Sequence, residues 1–216
     1  MKRLIQKVYK MNINFTDILI DIVQSDPHLE VYTFLFPNKD EKTITSYKLY
    51  QDANIFARML SEDGIHPGDI VNLVFDHGYD VIAAFWWALF LGALPTIYPY
   101  FSINKSSTIY LDKLTRVSNS TGAKAVITPS RFFNSIHPVF KNGDCRVVSM
   151  PPIAPDHLDH FEIFKSPGKN DDPAYIQFSS GTTGHPKGVL LSHTALVHYM
   201  DITKTALACT SDDVTV

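Results

Sequence analysis

The chain has 216 residues, of which 45% are hydrophobic and 19% charged, and a net charge of −3. That is enough apolar material for one sizeable core or two small ones, and the absence of a basic excess argues against nucleic acid as a partner. Its two cysteines, Cys145 and Cys209, stand far apart and in no metal-ligand spacing, which excludes a disulfide framework and makes the cytoplasm the expected compartment.

The chain opens on MKRLIQKVYK, with Lys2, Arg3, Lys7 and Lys10. No apolar stretch of the signal-peptide kind follows, so residues 1–13 read as a solvated basic tail. Residues 14–23 predict a short amphipathic helix. Residues 31–35 and 43–45 predict strands on either side of the PNKDEK turn. From Ser46 to Leu60 the period is helical: Leu49, Ala53, Phe56 and Leu60 share one face, Thr45 or Ser46 caps the first turn, and Gly64 stops it. His66-Pro67-Gly68-Asp69 is a turn, and residues 70–75 predict a buried strand.

Residues 81–94, VIAAFWWALFLGAL, form the longest apolar run. A membrane span needs ~20 residues, so a buried helix over residues 79–91 is expected and no transmembrane segment. Gly92 and Pro95 end that helix. Trp86 and Trp87 lie within it, one facing the sheet and the other a neighbouring element. A helix over 108–121 follows, with Tyr110, Leu114 and Val117 inward and Asp112, Lys113 and Arg116 outward. Strands are expected at 124–128 and 146–149, with a short helix near 131–133.

Strands alternating with helices at this spacing predict an α/β fold of largely parallel sheets flanked by helices on both faces. Five prolines between 151 and 173 break the rhythm and read as a connection between sub-sheets. A strand at 174–178, a second apolar run at 188–191 and a helix at 194–207 complete the reading. Along that last helix Leu196, Met200, Thr203 and Leu207 share one side. The closing Asp-Asp-Val-Thr-Val looks like a turn entering a strand, so the chain is expected to be a fragment or a truncated gene product. A sheet that lacks later strands is expected to expose apolar edges.

Between those last two strands lies SSGTTGHPKG, residues 179–188. A Walker A loop would have a glycine where Pro186 stands and a hydroxyl residue where Gly188 stands, so that reading fails. An anion cradle remains possible. Gly181 and Gly184 can take the backbone conformations that point successive N–H groups into one concavity. Ser179, Ser180, Thr182 and Thr183 add hydroxyls, Lys187 adds a full charge suited to phosphate oxygens, and Pro186 stiffens its approach. A plain hairpin or surface loop would have a similar composition.

The stretch YIQFSSGTTGHPKGVLLSH, Tyr175 to His193, closely resembles the signature loop of the adenylate-forming enzymes, with His185 at the variable position. That superfamily contains acyl-CoA synthetases, fatty acyl-AMP ligases, luciferases and peptide-synthetase adenylation domains. Ser46-Tyr47, Pro67-Gly68-Asp69, Gly92-Ala93-Leu94-Pro95 and residues 122–127 look like its large N-terminal domain, and LPTIYPYFSINKSSTIYLDKL looks most like the fatty acyl-AMP ligases.

The resemblance implies that residues 14–216 are the N-terminal part of an AMP-binding domain, with the small C-terminal domain absent. It implies ATP-dependent activation of a carboxylic acid, a fatty acid by preference, with release of pyrophosphate and transfer of the acyl group to the thiol of CoA or of a phosphopantetheine-bearing carrier protein. Ser179, Ser180, Gly181, Thr182, Thr183, Gly184, Lys187 and Gly188 would bind the phosphates, with Lys187 neutralising charge on the departing pyrophosphate. Ligands for Mg²⁺, and the adenine and acyl pockets, would lie mostly downstream, so these residues alone are expected not to form an acyl-adenylate. A peptide-synthetase adenylation domain and a truncated non-catalytic scaffold are the alternatives. Gln177 and His193 read as structural, His193 as a capping or packing residue.

Overall fold

A capping box starts the first helix, α1 (Phe15–Ser25): the Asn14 side chain accepts from the Thr16 N–H, and the Asp17 carboxylate accepts from the Asn14 N–H. The computed structural model describes residues 13–38, 40–98, 107–141, 143–151, 168–179, 187–210 and 213. The tail up to residue 12, most of the proline-rich connection and residues 180–186 lie outside this set.

Strands β1 (Glu30–Leu35) and β2 (Glu41–Thr45) pair antiparallel as a ribbon. Thr45 then caps α2 (Ser46–Glu62), its Oγ1 accepting from the Lys48 N–H at 3.2 Å. The expected stripe of Leu49, Ala53, Phe56 and Leu60 is buried.

Four strands form a parallel sheet: β3 (Ile70–Val74), β4 (Leu94–Tyr98), β5 (Ala125–Pro129) and β6 (Arg146–Met150), in the order β4-β3-β5-β6. Helix α3 (Tyr79–Leu91) connects β3 to β4, α4 (Ser107–Thr121) precedes β5, and α5 (Ser130–Ile136) follows it. Gly92, at φ +78, ends α3 and turns the chain directly into β4. Side chains of β3 alternate between two cores. Val71 and Leu73 join the cluster beneath α2 and α3, and Val74 joins the one beneath α4. Asn72 also faces α4, donating to Ser118 Oγ at 2.8 Å. Both faces of the sheet are therefore covered, as a parallel sheet requires.

Strand β4 departs from the expectation that Pro95 only ends a helix. Pro95 sits inside β4, in register with Val71. β4 is the terminal strand of this sheet, where a residue without an N–H is tolerated. Helix α5 is also longer than the expected 131–133, and a 3₁₀ turn (His137–Val139) extends it.

After the proline-rich connection, β7 (Pro173–Ser179) and β8 (Lys187–Ser192) form a second antiparallel ribbon. It runs against β4, and Tyr175 meets Phe85 of α3 edge-on with ring centroids 5.5 Å apart. Helix α6 (His193–Ala206) closes the described chain. Its buried face is His193 and Val197, not the expected stripe: Leu196 is half-buried, and Met200 and Leu207 are exposed. Val189, Leu190, Tyr199 and Ile202 are exposed as well, so the ribbon and α6 carry an open apolar face.

One polar contact ties α2 to α3. Asp52 is 1% exposed and accepts from Tyr79 Oη at 2.5 Å and from Lys48 Nζ at 2.9 Å. Burial pushes its carboxyl above the usual range, and the two donors offset only part of that rise. Tyr79→Phe leaves one oxygen of this buried carboxylate without its partner. The expected loss is about 1–3 kcal/mol, read as a lower urea midpoint at unchanged slope.

Candidate active site

The signature stretch is carried by the β7–β8 ribbon. Ser179 ends β7 and Lys187 begins β8, and the two stand opposite each other in register. The strands thus present both ends of the segment 180–186 at one place. Of the predicted phosphate-binding residues, the structure brings Ser179, Lys187 and Gly188 together at this mouth; Ser180, Gly181, Thr182, Thr183 and Gly184 lie outside the described residues, as does His185. Lys187 is exposed.

Gly188 has a steric reason of its own. It pairs with Phe178 across the ribbon, and a Cβ there would stand 3.0 Å from Ile176 Cγ2 and 3.2 Å from the Phe178 ring. Gln177 pairs with Val189 and is exposed.

The other end of the ribbon is tied down. A β-bulge sits between Pro173 and Tyr175, which oppose the consecutive residues Ser192 and Leu191. Beyond it, the His193 N–H donates to the Asp172 carbonyl at 3.2 Å and the Thr194 N–H to the Asn170 carbonyl at 2.9 Å. The Thr194 hydroxyl lies 2.9 Å from the Asn170 carbonyl and 2.8 Å from Asp171 Oδ1, its one proton shared between these two acceptors. This tie was not legible beforehand. Its only trace in the sequence is Ser-His-Thr at a strand-to-helix junction, which reads as an ordinary cap, and Ser192 does cap α6.

His193 is 2% exposed and lines a hollow of about 280 Å³ with Pro67, Gly92, Asp172 and Pro173. Burial holds its pKa below the ordinary value, against a smaller opposing pull from Asp172 and Asp17. Among the described residues nothing hydrogen-bonds its Nδ1. Its burial agrees with the packing role expected. Trp87 is wholly buried, whereas Trp86 stacks on Phe15 of α1 at 5.1 Å. Cys145 is buried, which pushes its thiol up to about 11 and makes it a poor nucleophile at neutral pH. Among the described residues no group of three or more His, Cys, Asp or Glu could hold a metal ion, and no helix is long and apolar enough to cross a membrane.

With this geometry in place, similarity to known proteins identifies the family. Residues 22–216 match the AMP-binding enzyme family, and the chain belongs to it. Disco-interacting protein 2 of Drosophila melanogaster is 31% identical over 166 residues, which are 72% of this chain and 9% of that protein. 4-Coumarate–CoA ligase 2 of Nicotiana tabacum is 25% identical over 193 residues, 79% of this chain and 34% of the ligase. Among solved structures, the fatty acyl-adenylate ligase of L. pneumophila, in complex with acyl adenylate and pyrophosphate, superposes with a TM-score of 0.77 at 24% identity, over 94% of this chain and 34% of that one. The likeness bears out the α/β fold. The chain spans about a third or less of these relatives.

Two outcomes are expected. Gly188→Ala forces Ile176 and Phe178 aside, costs about 1–3 kcal/mol and speeds amide exchange at Val189 and Leu190. For His193 the lowered pKa means that the unfolded chain binds its proton first. Its contribution to stability is complete above the unfolded value of ~6.5 and is lost as pH falls through the folded value. Denaturation midpoints between about pH 5 and 7 therefore slope less in His193→Gln than in the parent, and an imidazole NMR titration places the His193 midpoint below that of an exposed histidine.

Proposed function

We propose that this chain is the phosphate-gripping portion of an ATP-dependent ligase that activates a carboxylic acid as its acyl-adenylate. The observation that carries this reading is the SSGTTGHPKG stretch, spanning the mouth of the β7–β8 ribbon with Lys187 at the start of β8. A carboxylate oxygen attacks the α-phosphorus of ATP, the bond to the bridging oxygen breaks, and pyrophosphate leaves with that electron pair. A thiol then attacks the acyl carbonyl carbon and AMP departs.

In the first step negative charge grows on the leaving pyrophosphate, so catalysis rests on positive charge and N–H donors placed there beforehand. Lys187 supplies the charge. Gly181 and Gly184 supply backbone N–H groups, Ser179, Ser180, Thr182 and Thr183 supply hydroxyls, and Gly188 allows the close packing at the ribbon mouth. Mg²⁺ would neutralise further phosphate charge when bound, through groups other than those described. The preferred acid is a fatty acid, on the strength of the likeness between residues 94–114 and the fatty acyl-AMP ligases. The acceptor is CoA or a carrier-protein phosphopantetheine.

The test is carboxylate-dependent ATP–pyrophosphate exchange by the complete protein. Fatty acids of graded length should support exchange, and Lys187→Ala should lower it by about 10²-fold or more at unchanged fold. Exchange unaltered by that substitution would falsify the charge role. Acyl transfer to free CoA against carrier protein separates the two acceptors.

A further inference from the structure

The phosphate-facing end of the ribbon has an anchor at its opposite end. Between Ser179–Lys187 and Pro173–Ser192 the two strands run for six residues of β8, about 20 Å at the usual rise per residue. A change of register at the base is carried along the whole strand: a slip by one residue turns every side chain, including the one at the tip, to the opposite face. The β-bulge at Pro173/Tyr175 fixes the count, with one extra residue on β7. Just outside it the first turn of α6 grips the segment that leads into β7. The contacts are the two backbone bonds from His193 and Thr194 and the Thr194 hydroxyl, whose one proton is shared between the Asn170 carbonyl and Asp171 Oδ1. The gripped segment is held in turn from α1, because Asn14 Nδ2 donates to the Gly168 carbonyl at 2.9 Å. Asp172 Oδ2 accepts from the Lys169 N–H at 2.7 Å and closes the turn between them.

We propose that Thr194 is a positioning residue for the phosphate loop: its hydroxyl clamps α6 to residues 170–171, locks the register at the base of the β7–β8 hairpin, and so aims Lys187 at the other end. This rests on the function proposed above. Thr194 touches no reacting group and acts through the ribbon. A cap confined to α6 would need only Ser192, whose Oγ already accepts from the Ala195 N–H at 3.2 Å. The Thr194 hydroxyl instead reaches across to the residues before β7, more than twenty positions earlier in the chain.

The test compares Thr194→Val, which keeps the shape and removes the hydroxyl, with Thr194→Ser, which keeps the hydroxyl, in the complete protein. ATP–pyrophosphate exchange gives KM for ATP and for the carboxylic acid separately. A misaimed Lys187 lowers kcat, and kcat/KM for ATP with it, by about ten-fold in the valine variant, leaves the KM for the acid within about two-fold, and is reversed in the serine variant. An unchanged kcat, a KM for the acid raised as much as kcat falls, or a serine variant no better than the valine one overturns the proposal. If the parent protein shows no exchange with any acid, the proposed function falls and the clamp is judged alone. Amide exchange at residues 187–190 that speeds up in Thr194→Val and stays normal in Thr194→Ser then supports it, and unchanged exchange in both overturns it.

Discussion

Two-sided burial of the four-stranded parallel sheet is the constraint on which everything else depends. Because β3 sends Val71 and Leu73 into one core and Val74 into the other, neither face can be wetted without opening a cluster of buried side chains. At about 25 cal/mol per Å² of apolar surface removed from water, such clusters are the main source of stability in a domain of this size. Two of the polar groups buried among the described residues join one element to another. Asn72 reaches Ser118 across the sheet-to-α4 interface, and the Asp52–Tyr79 pair joins α2 to α3. Each is costly to leave half-made, so each favours one packing of its helix over shifted alternatives.

The β7–β8 ribbon draws on that rigidity without belonging to the sheet. It runs beside β4, the strand that carries Pro95, and meets α3 through Tyr175 on Phe85. A two-stranded hairpin is marginal by itself in water. This one has a rigid wall on one side, a bulge that sets its register and a helix tied across its base. The rigidity enters from the end of the ribbon opposite Ser179 and Lys187.

Much of this was legible in the sequence, because the signals were local. The Ser46–Leu60 period, the Thr45 cap and the Gly92 stop each act within a few residues, and the structure places them where the pattern does. The failures were non-local. Pro95 looks like a helix breaker unless β4 is known to end its sheet. The side of α6 that is buried depends on its leaning against α1, which selects His193 and Val197 over the more hydrophobic Met200 and Leu207. At the site, the motif itself stood out. The tie from Thr194 to Asn170 and Asp171 joins residues with no pattern between them, and only the closed hairpin brings them together.

Under the proposed chemistry, the use of lysine at position 187 follows from what the cation must do. Charge builds on pyrophosphate oxygens as they move away from the α-phosphorus, so the attractive partner must act along a path and not at one fixed spot. An arginine fork is strongest when held in one bidentate geometry. An ammonium on a four-carbon stem gives up that fixed geometry and can follow the receding charge. That mobility is useful only if the stem starts from a fixed point, since a mobile tip on a mobile backbone would spread the charge over a wide volume and weaken its effect on the transition state. Placing Lys187 at the first position of β8, in register with Ser179, supplies the fixed point. The demand for a locked hairpin base and the choice of lysine are therefore two sides of one requirement: backbone order beneath a side chain that has to move.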